Sequence, residues 1–200
     1  MMSIINLLFK SKIKKKEKAK DIVAIVVADT HGFAKEMGAH SWFEENPEYD
    51  VCFILGDCTE EDIAYICSCV DATKISGVYG NHDTDDLYEK YGITNIHGKV
   101  VEIKGKHFVG WERSVKYKPN IIGMTQEESL EFEKTLPPAD YLVSHDGPYE
   151  SDNKNIVHQG LRGISRYQKR TGCYVLRGHI HTRYEKENER CFYGIERCVL

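Results

Sequence analysis

The sequence predicts an α/β fold whose first half is a parallel sheet covered by helices. Three observations carry this: β-branched apolar runs recur, they alternate with helical stretches, and each run stops at a polar turn. "DIVAIVVADTHG" (21–32) is the first such run and reads as a central strand buried on both faces. "FAKEMGAHSWFEEN" (33–46) predicts one helix, and "YDVCFILGDC" (49–58) a second buried strand. Thr59 ahead of "EED" has the form of a capping box, opening a helix over 60–72. "KISGVYGNHD" (74–83) is the third strand, and "TDDLYEKYG" (84–92) a further helix.

The second half changes character. "GKVVEIKGKHFVGWE" (98–112) alternates apolar and polar residues around "KGK", the pattern of a hairpin. "TQEESLEFEKTL" (125–136) is a capped helix, "PPADYLVSHDGP" (137–148) a short strand, and "VHQGLRGISRYQKRTG" (157–172) a helix closed by glycine. "CYVLRG" (173–178) and "RCFYGIERCVL" (190–200) are the last two strands. No internal repeat is present, and no linker follows residue 21.

Composition narrows the class. Hydrophobic residues make up 41% and charged residues 29%, as in a water-soluble globular domain, and no apolar run reaches the length of a membrane span. Residues 1–20 stand apart as a basic tail with seven lysines and one glutamate. The body, 21–200, is expected to be a single domain with 20 basic and 30 acidic residues. Such an acidic body disfavours duplex nucleic acid as a partner. In the tail "IINLLF" precedes the lysines, the reverse of a secretory signal. A short apolar piece followed by lysines suits a weak contact with a membrane surface. The seven cysteines have irregular spacing, with no CxxC pair, and several lie in apolar runs. Free thiols in a reducing cytoplasm are expected.

The chemistry stands where the apolar strands stop. Their ends read "ADTHG", "LGDC", "YGNHD", "SHDGP" and "RGHIHT", each offering Asp, Asn or His. In open α/β sheets the site lies beyond the carboxyl ends of the strands, so five such turns can converge. Singly, each is an ordinary cap or turn; together they form a constellation of metal-ligand types. His179 and His181, two apart on extended chain, can reach a common point, with Gly178 letting the strand turn.

The order DxH, GD, GNHD, H, GHxH resembles the calcineurin-like metallophosphoesterase superfamily, over residues from about 22 to about 183. The resemblance implies a four-layer αββα sandwich, two mixed β-sheets flanked by helices, with a dinuclear metal centre at the strand ends. It implies that Asp29, His31, Asp57 and His181 hold one divalent ion. Asp57, Asn81, His145 and His179 would hold the other, with Asp57 bridging. His82 would meet the substrate as the catalytic residue, and Asn81 and His158 would line the substrate side. Mixed imidazole, carboxylate and amide donors without thiolate suit first-row divalent ions: manganese first, with iron, zinc or nickel also compatible.

The expected activity is hydrolysis of a phosphomonoester or phosphodiester, small or exposed, by attack of a metal-bound hydroxide. The competing readings are a nuclease of the same superfamily and a non-catalytic scaffold for protein interaction. One departure is "GDCTE", which puts Glu60 where many members carry an aspartate that orients the catalytic histidine. Glu60 could do this or simply favour the helix dipole. Asp83 and Asp146 are read as hydrogen-bond acceptors beside the ligands. His40, His97 and His107 are read as surface or core residues, and Arg113 and Lys116 as solvated charges or phosphate contacts.

Overall fold

The computed structural model describes residues 21–200; the expectations for the tail lie outside them. Among these residues thirteen strands and six α-helices follow in order, with one 3-10 turn at Ala72–Lys74. They begin with β1 (Val23–Ala28), α1 (Ala34–Met37), α2 (His40–Glu45), β2 (Val51–Ile54) and α3 (Glu60–Cys69). Next come β3 (Ile75–Gly77), α4 (Leu87–Lys90), β4 (Thr94–Asn95), β5 (Val100–Ile103) and β6 (Lys106–Trp111). A small parallel pair, β7 (Ser114–Val115) and β8 (Gly123–Met124), precedes α5 (Gln126–Thr135) and β9 (Tyr141–Ser144). The chain closes with α6 (Arg162–Thr171), β10 (Tyr174–Arg177), β11 (Tyr184–Lys186), β12 (Glu189–Cys191) and β13 (Gly194–Val199).

Two large sheets form. One runs β13-β1-β2-β3-β4, the other β11-β12-β10-β9-β6-β5. Both are mixed: β13 is antiparallel to β1, and β11 and β5 are antiparallel edges of an otherwise parallel sheet. Side-chain alternation explains how apolar strands make four layers. Along β1, Ala24, Val26 and Ala28 face the space between the sheets, where Phe53, Phe108, Val143 and Leu176 meet them. Ile25 and Val27 face the other way, onto Ile63 and Ile66 of α3. On the far side Val109, Trp111, Leu142 and Val175 pack against Ile164 and Tyr167 of α6. These three apolar layers separate helices, sheet, sheet and helices: the αββα sandwich.

The capping boxes at Thr59 and Thr125 are both formed, as is the hairpin of β5 and β6. Gly172 ends α6 in the left-handed conformation. Three expectations change. The helix over 33–46 is two short helices broken at Gly38, whose carbonyl accepts the Tyr65 hydroxyl at 2.7 Å. The helix expected from residue 157 starts at Arg162, leaving His158 on a loop. The final run 190–200 is two strands in different sheets. Phe192 still donates its N–H to Arg177 O of the second sheet, whereas Gly194, at φ +79°, already pairs with Ala28 of the first.

Candidate metal centre

β1, β2 and β3 are parallel, as are β9 and β10, so their carboxyl ends share one edge of the sandwich. The turns leaving that edge carry Asp29, His31, Asp57, Asn81, His82, His145, His179 and His181. Their backbones are unusual. Asp29, His31, Asp57, His179 and His181 have φ between +46° and +75°. They are five of the eight non-glycine residues with positive φ in the described chain. Left-handed backbone costs energy for such residues and gathers at functional sites, where surrounding contacts enforce it.

Two groups of donors converge: Asp29, His31 and His181 in one, Asp57, His145 and His179 in the other. In the first, the Nε2 atoms of His31 and His181 lie 3.1 Å apart, and His181 Nε2 is 3.7 Å from Asp29 Oδ1. In the second, His145 Nε2 lies 3.0 Å from Asn81 Oδ1 and 3.1 Å from His179 Nδ1. Asp57 stands between the groups, its Oδ2 3.7 Å from His31 Nε2 and 3.5 Å from His145 Nε2. Its Oδ1 accepts the backbone N–H of His82 at 2.9 Å. His82 is exposed while Asn81 and Asp83 on either side are buried; its ring centroid is 5.5 Å from that of His31.

The hydrogen bonds of the imidazoles decide what the second group can hold. His145 Nδ1 donates to Leu55 O at 2.7 Å, and His179 Nε2 donates to Val157 O at 2.8 Å. In the neutral tautomers these bonds fix, the inner nitrogens present lone pairs to each other and to the oxygens of Asn81 and Asp57. Burial holds His145 near a pKa of about 4, so it is neutral at pH 7. In the first group, Asp29 Oδ1 is buried without a hydrogen-bond donor. Burial, reinforced by Asp57, pushes the Asp29 carboxyl well above its usual range. Burial acts the same way on Asp57, but His145, the His82 N–H and the neighbouring imidazoles outweigh it and bring that carboxyl below its usual value. Converging lone pairs and an orphaned carboxylate oxygen, with nitrogen and oxygen donors and no thiolate, fit divalent cations.

Close backbone approach assembles the turns. A Cβ on Gly80 would lie 2.1 Å from Asp57 Oδ1, and one on Gly178 would lie 2.6 Å from Asp29 Oδ2. Gly178 thus makes room for Asp29, rather than turning the strand; the positive φ falls on His179. Asp83 accepts the N–H groups of Gly80, Asp57 and Cys58 at 2.6–2.9 Å, binding the GNHD and GD turns together. Asp146 accepts from Val115 and Gly147. Both act as the acceptors expected of them.

Other placements differ from expectation. Glu60 turns away from His82, pairing with Lys90 and Tyr91 at the surface, so it does not orient that histidine. Arg113 is buried rather than a solvated charge, and binds the segment 80–85; Lys116 is exposed. His158 lies beside the second group, 5.2 Å from His179 between ring centroids. His40 and His107 are exposed, and His97 is half-buried against Phe132. Asp62 was legible only as part of a cap. Buried at the start of α3, it also accepts Thr30 Oγ1, Gly32 N and Ala34 N at 2.7–2.8 Å, fixing the turn that carries His31.

The family model of the calcineurin-like phosphoesterase superfamily domain matches residues 23–194. The chain belongs to that superfamily. A search of curated proteins finds no match to the sequence. Among solved structures, it shares its fold with TT1561 of Thermus thermophilus, at 10% identity and a TM-score of 0.60, covering 90% of this chain and 99% of that one. A conserved uncharacterized protein of Streptococcus pneumoniae TIGR4, described as a predicted phosphoesterase, aligns at 13% identity and a TM-score of 0.40, over 87% of this chain and 72% of that one. No helix among the described residues is long and apolar enough to cross a membrane.

Proposed function

We propose that this protein is a metal-dependent hydrolase of phosphoric esters, acting on a small or exposed monoester or diester. The observation that carries the reading is the convergence of two groups of metal-ligand side chains on Asp57, whose Oδ2 lies within 3.7 Å of an imidazole nitrogen from each group. Asp29, His31 and His181 would hold one cation and Asn81, His145 and His179 the other, with Asp57 placed to serve both. Two divalent ions bound there supply Lewis acidity to the phosphoryl oxygens and to an attacking water.

The remaining work falls to side chains of this chain. His82 projects from a turn whose backbone is fastened to Asp57, and its exposed imidazole can donate a proton to the leaving oxygen or steady its charge. His158 accepts Asn155 Nδ2–H at Nδ1, which leaves the proton on Nε2 for a substrate oxygen. Hydrolysis of p-nitrophenyl phosphate and of its bis ester, with manganese, nickel and zinc each supplied, tests the proposal. Turnover that needs added metal is expected. Inertness toward a broad phosphoester panel with all three metals would favour a protein-interaction scaffold instead.

A further inference from the structure

Arg113 lies outside the five turns of the metal centre, at the end of β6, yet its bonds converge on one of them. Its backbone N–H donates to Tyr79 O at 2.7 Å. Nη1 donates to Gly80 O at 2.6 Å and to Asp83 O at 3.0 Å, and Nη2 pairs with Asp85. The guanidinium carbon lies 5.3 Å from the centroid of the Tyr79 ring. The side chain is 6% exposed, and the residue has φ +68°. Burying a guanidinium is costly unless its donors are matched, and here two of the matched acceptors are carbonyls that bracket Asn81 and His82.

We infer that Arg113 is a positioning residue for His82: its guanidinium grips the chain on both sides of the Asn81–His82 pair and sets the direction in which the imidazole leaves the turn. The same turn is also held by Asp83, which takes the Gly80 N–H within it and the Asp57 and Cys58 N–H groups of the neighbouring turn. Carbonyls of the turn are held by Arg113 and amides by Asp83 and Asp57, so the exposed histidine stands on a firmly bonded base. Only a planar fork spans both carbonyls and Asp85 together; a lysine ammonium carries the same charge but reaches fewer of them. The effect on rate rests on the proposed phosphoesterase reading, whereas the effect on the turn does not.

The test is Arg113→Lys, read in two ways. In metal-free protein, amide hydrogen exchange at Gly80 and His82, whose N–H groups are bonded to Asp83 and Asp57, should quicken by about tenfold or more, while amides of β9 keep their wild-type protection. Unchanged exchange at Gly80 and His82 would overturn the inference. In fully metallated enzyme, kcat should fall on the order of tenfold with KM unchanged, and the same substitution in a His82→Ala background should cost nothing further. An equal loss in both backgrounds would show that Arg113 does not act through His82. Absence of turnover in wild type would defeat the functional reading alone, and the exchange result would still decide the role of Arg113. Should the lysine variant fail to fold, Asp85→Asn loosens the same guanidinium from an exposed position. It should quicken exchange at the same two amides by a smaller factor, and no change there would refute the clamp.

Discussion

His145 Nε2 and His179 Nδ1 face each other across 3.1 Å, while each ring donates from its other nitrogen to a backbone carbonyl. In the neutral rings those bonds oppose two buried lone pairs, which repel unless a cation lies among them. Metal binding should therefore raise folding stability. At a hundredfold excess over Kd, binding adds about 2.7 kcal/mol. For a domain of this size each kcal/mol moves Tm by roughly 2–4 °C. Thermal melts with a chelator and with added manganese, zinc or nickel should differ by about 5–10 °C. Identical melts in all four conditions would refute the cation reading.

Asp57→Asn should lower occupancy at both sites, since one oxygen of that carboxylate addresses both groups. Asp29→Asn should affect chiefly the site of His31 and His181. Elemental analysis against protein concentration distinguishes them. One site fully retained in the Asp57 variant would show that the carboxylate is not shared.

His82→Ala should keep both metals and lose rate. General acid catalysis is worth ~10²–10⁴-fold, and a loss of that order is expected for an ester with a poor leaving group. The loss should be smaller for p-nitrophenolate, which needs less help. The measurement is rate per metallated enzyme for two leaving groups of different pKa; equal losses would remove the proton-donor role.

Asp62→Asn should destabilise the fold and loosen one metal site. The carboxylate accepts from Thr30, Gly32, Ala34 and Thr59, and an amide would turn a donor toward some of these donors. Lost charge-assisted bonds imply a cost of roughly 2 kcal/mol or more, measurable by urea unfolding of the metal-free protein. Because the same bonds hold the turn bearing His31, affinity at the Asp29–His31–His181 group should fall as well. An unchanged unfolding midpoint would deny Asp62 its role.

His97 should give stability a pH dependence away from the metal centre. Burial, with Lys99 nearby, lowers its pKa to about 4 from 6.5, and its Nδ1 accepts the Glu112 N–H at 3.1 Å. The folded state therefore resists protonation that the unfolded chain accepts below 6.5. The contribution is complete above 6.5, falls as pH drops toward 4, and changes little below that. The loss is on the order of 3 kcal/mol. His97→Gln keeps an acceptor but cannot titrate, so its metal-free stability should fall less than wild type between pH 7 and pH 4. Parallel declines would exclude His97 as a source.

Much of the site was legible because ligand types are written at strand ends, and strand ends are written by apolar runs that stop. The alternating burial of Ala24, Val26 and Ala28 against Ile25 and Val27 is likewise a period-2 pattern. The layering itself came from the family resemblance, since an apolar run does not say which sheet will cover it. For that reason 190–200 read as one strand although Gly194 passes it between sheets. Arg113 and Asp62 were hidden differently. Their partners are backbone groups of turns 28 or more positions away, and a backbone N–H or carbonyl leaves no signature in residue type. Glu60 misled by position alone: its neighbours Lys90 and Tyr91 are set by how α4 packs.

The pairing of β1 with β13 has a consequence for biosynthesis. Val23 is matched with Val199, so the first described strand receives one of its two neighbours only after almost the entire described sequence has been translated. Until then β1 can pair with β2 on one side, leaving its other row of amides and carbonyls open as a nascent sheet edge. Such an edge invites pairing with another chain, and the closing contact is among the longest loops the polypeptide must draw shut. Heat-shock conditions, slow translation or loss of the last strand should each turn this protein toward aggregates on the ribosome rather than toward a stable fragment.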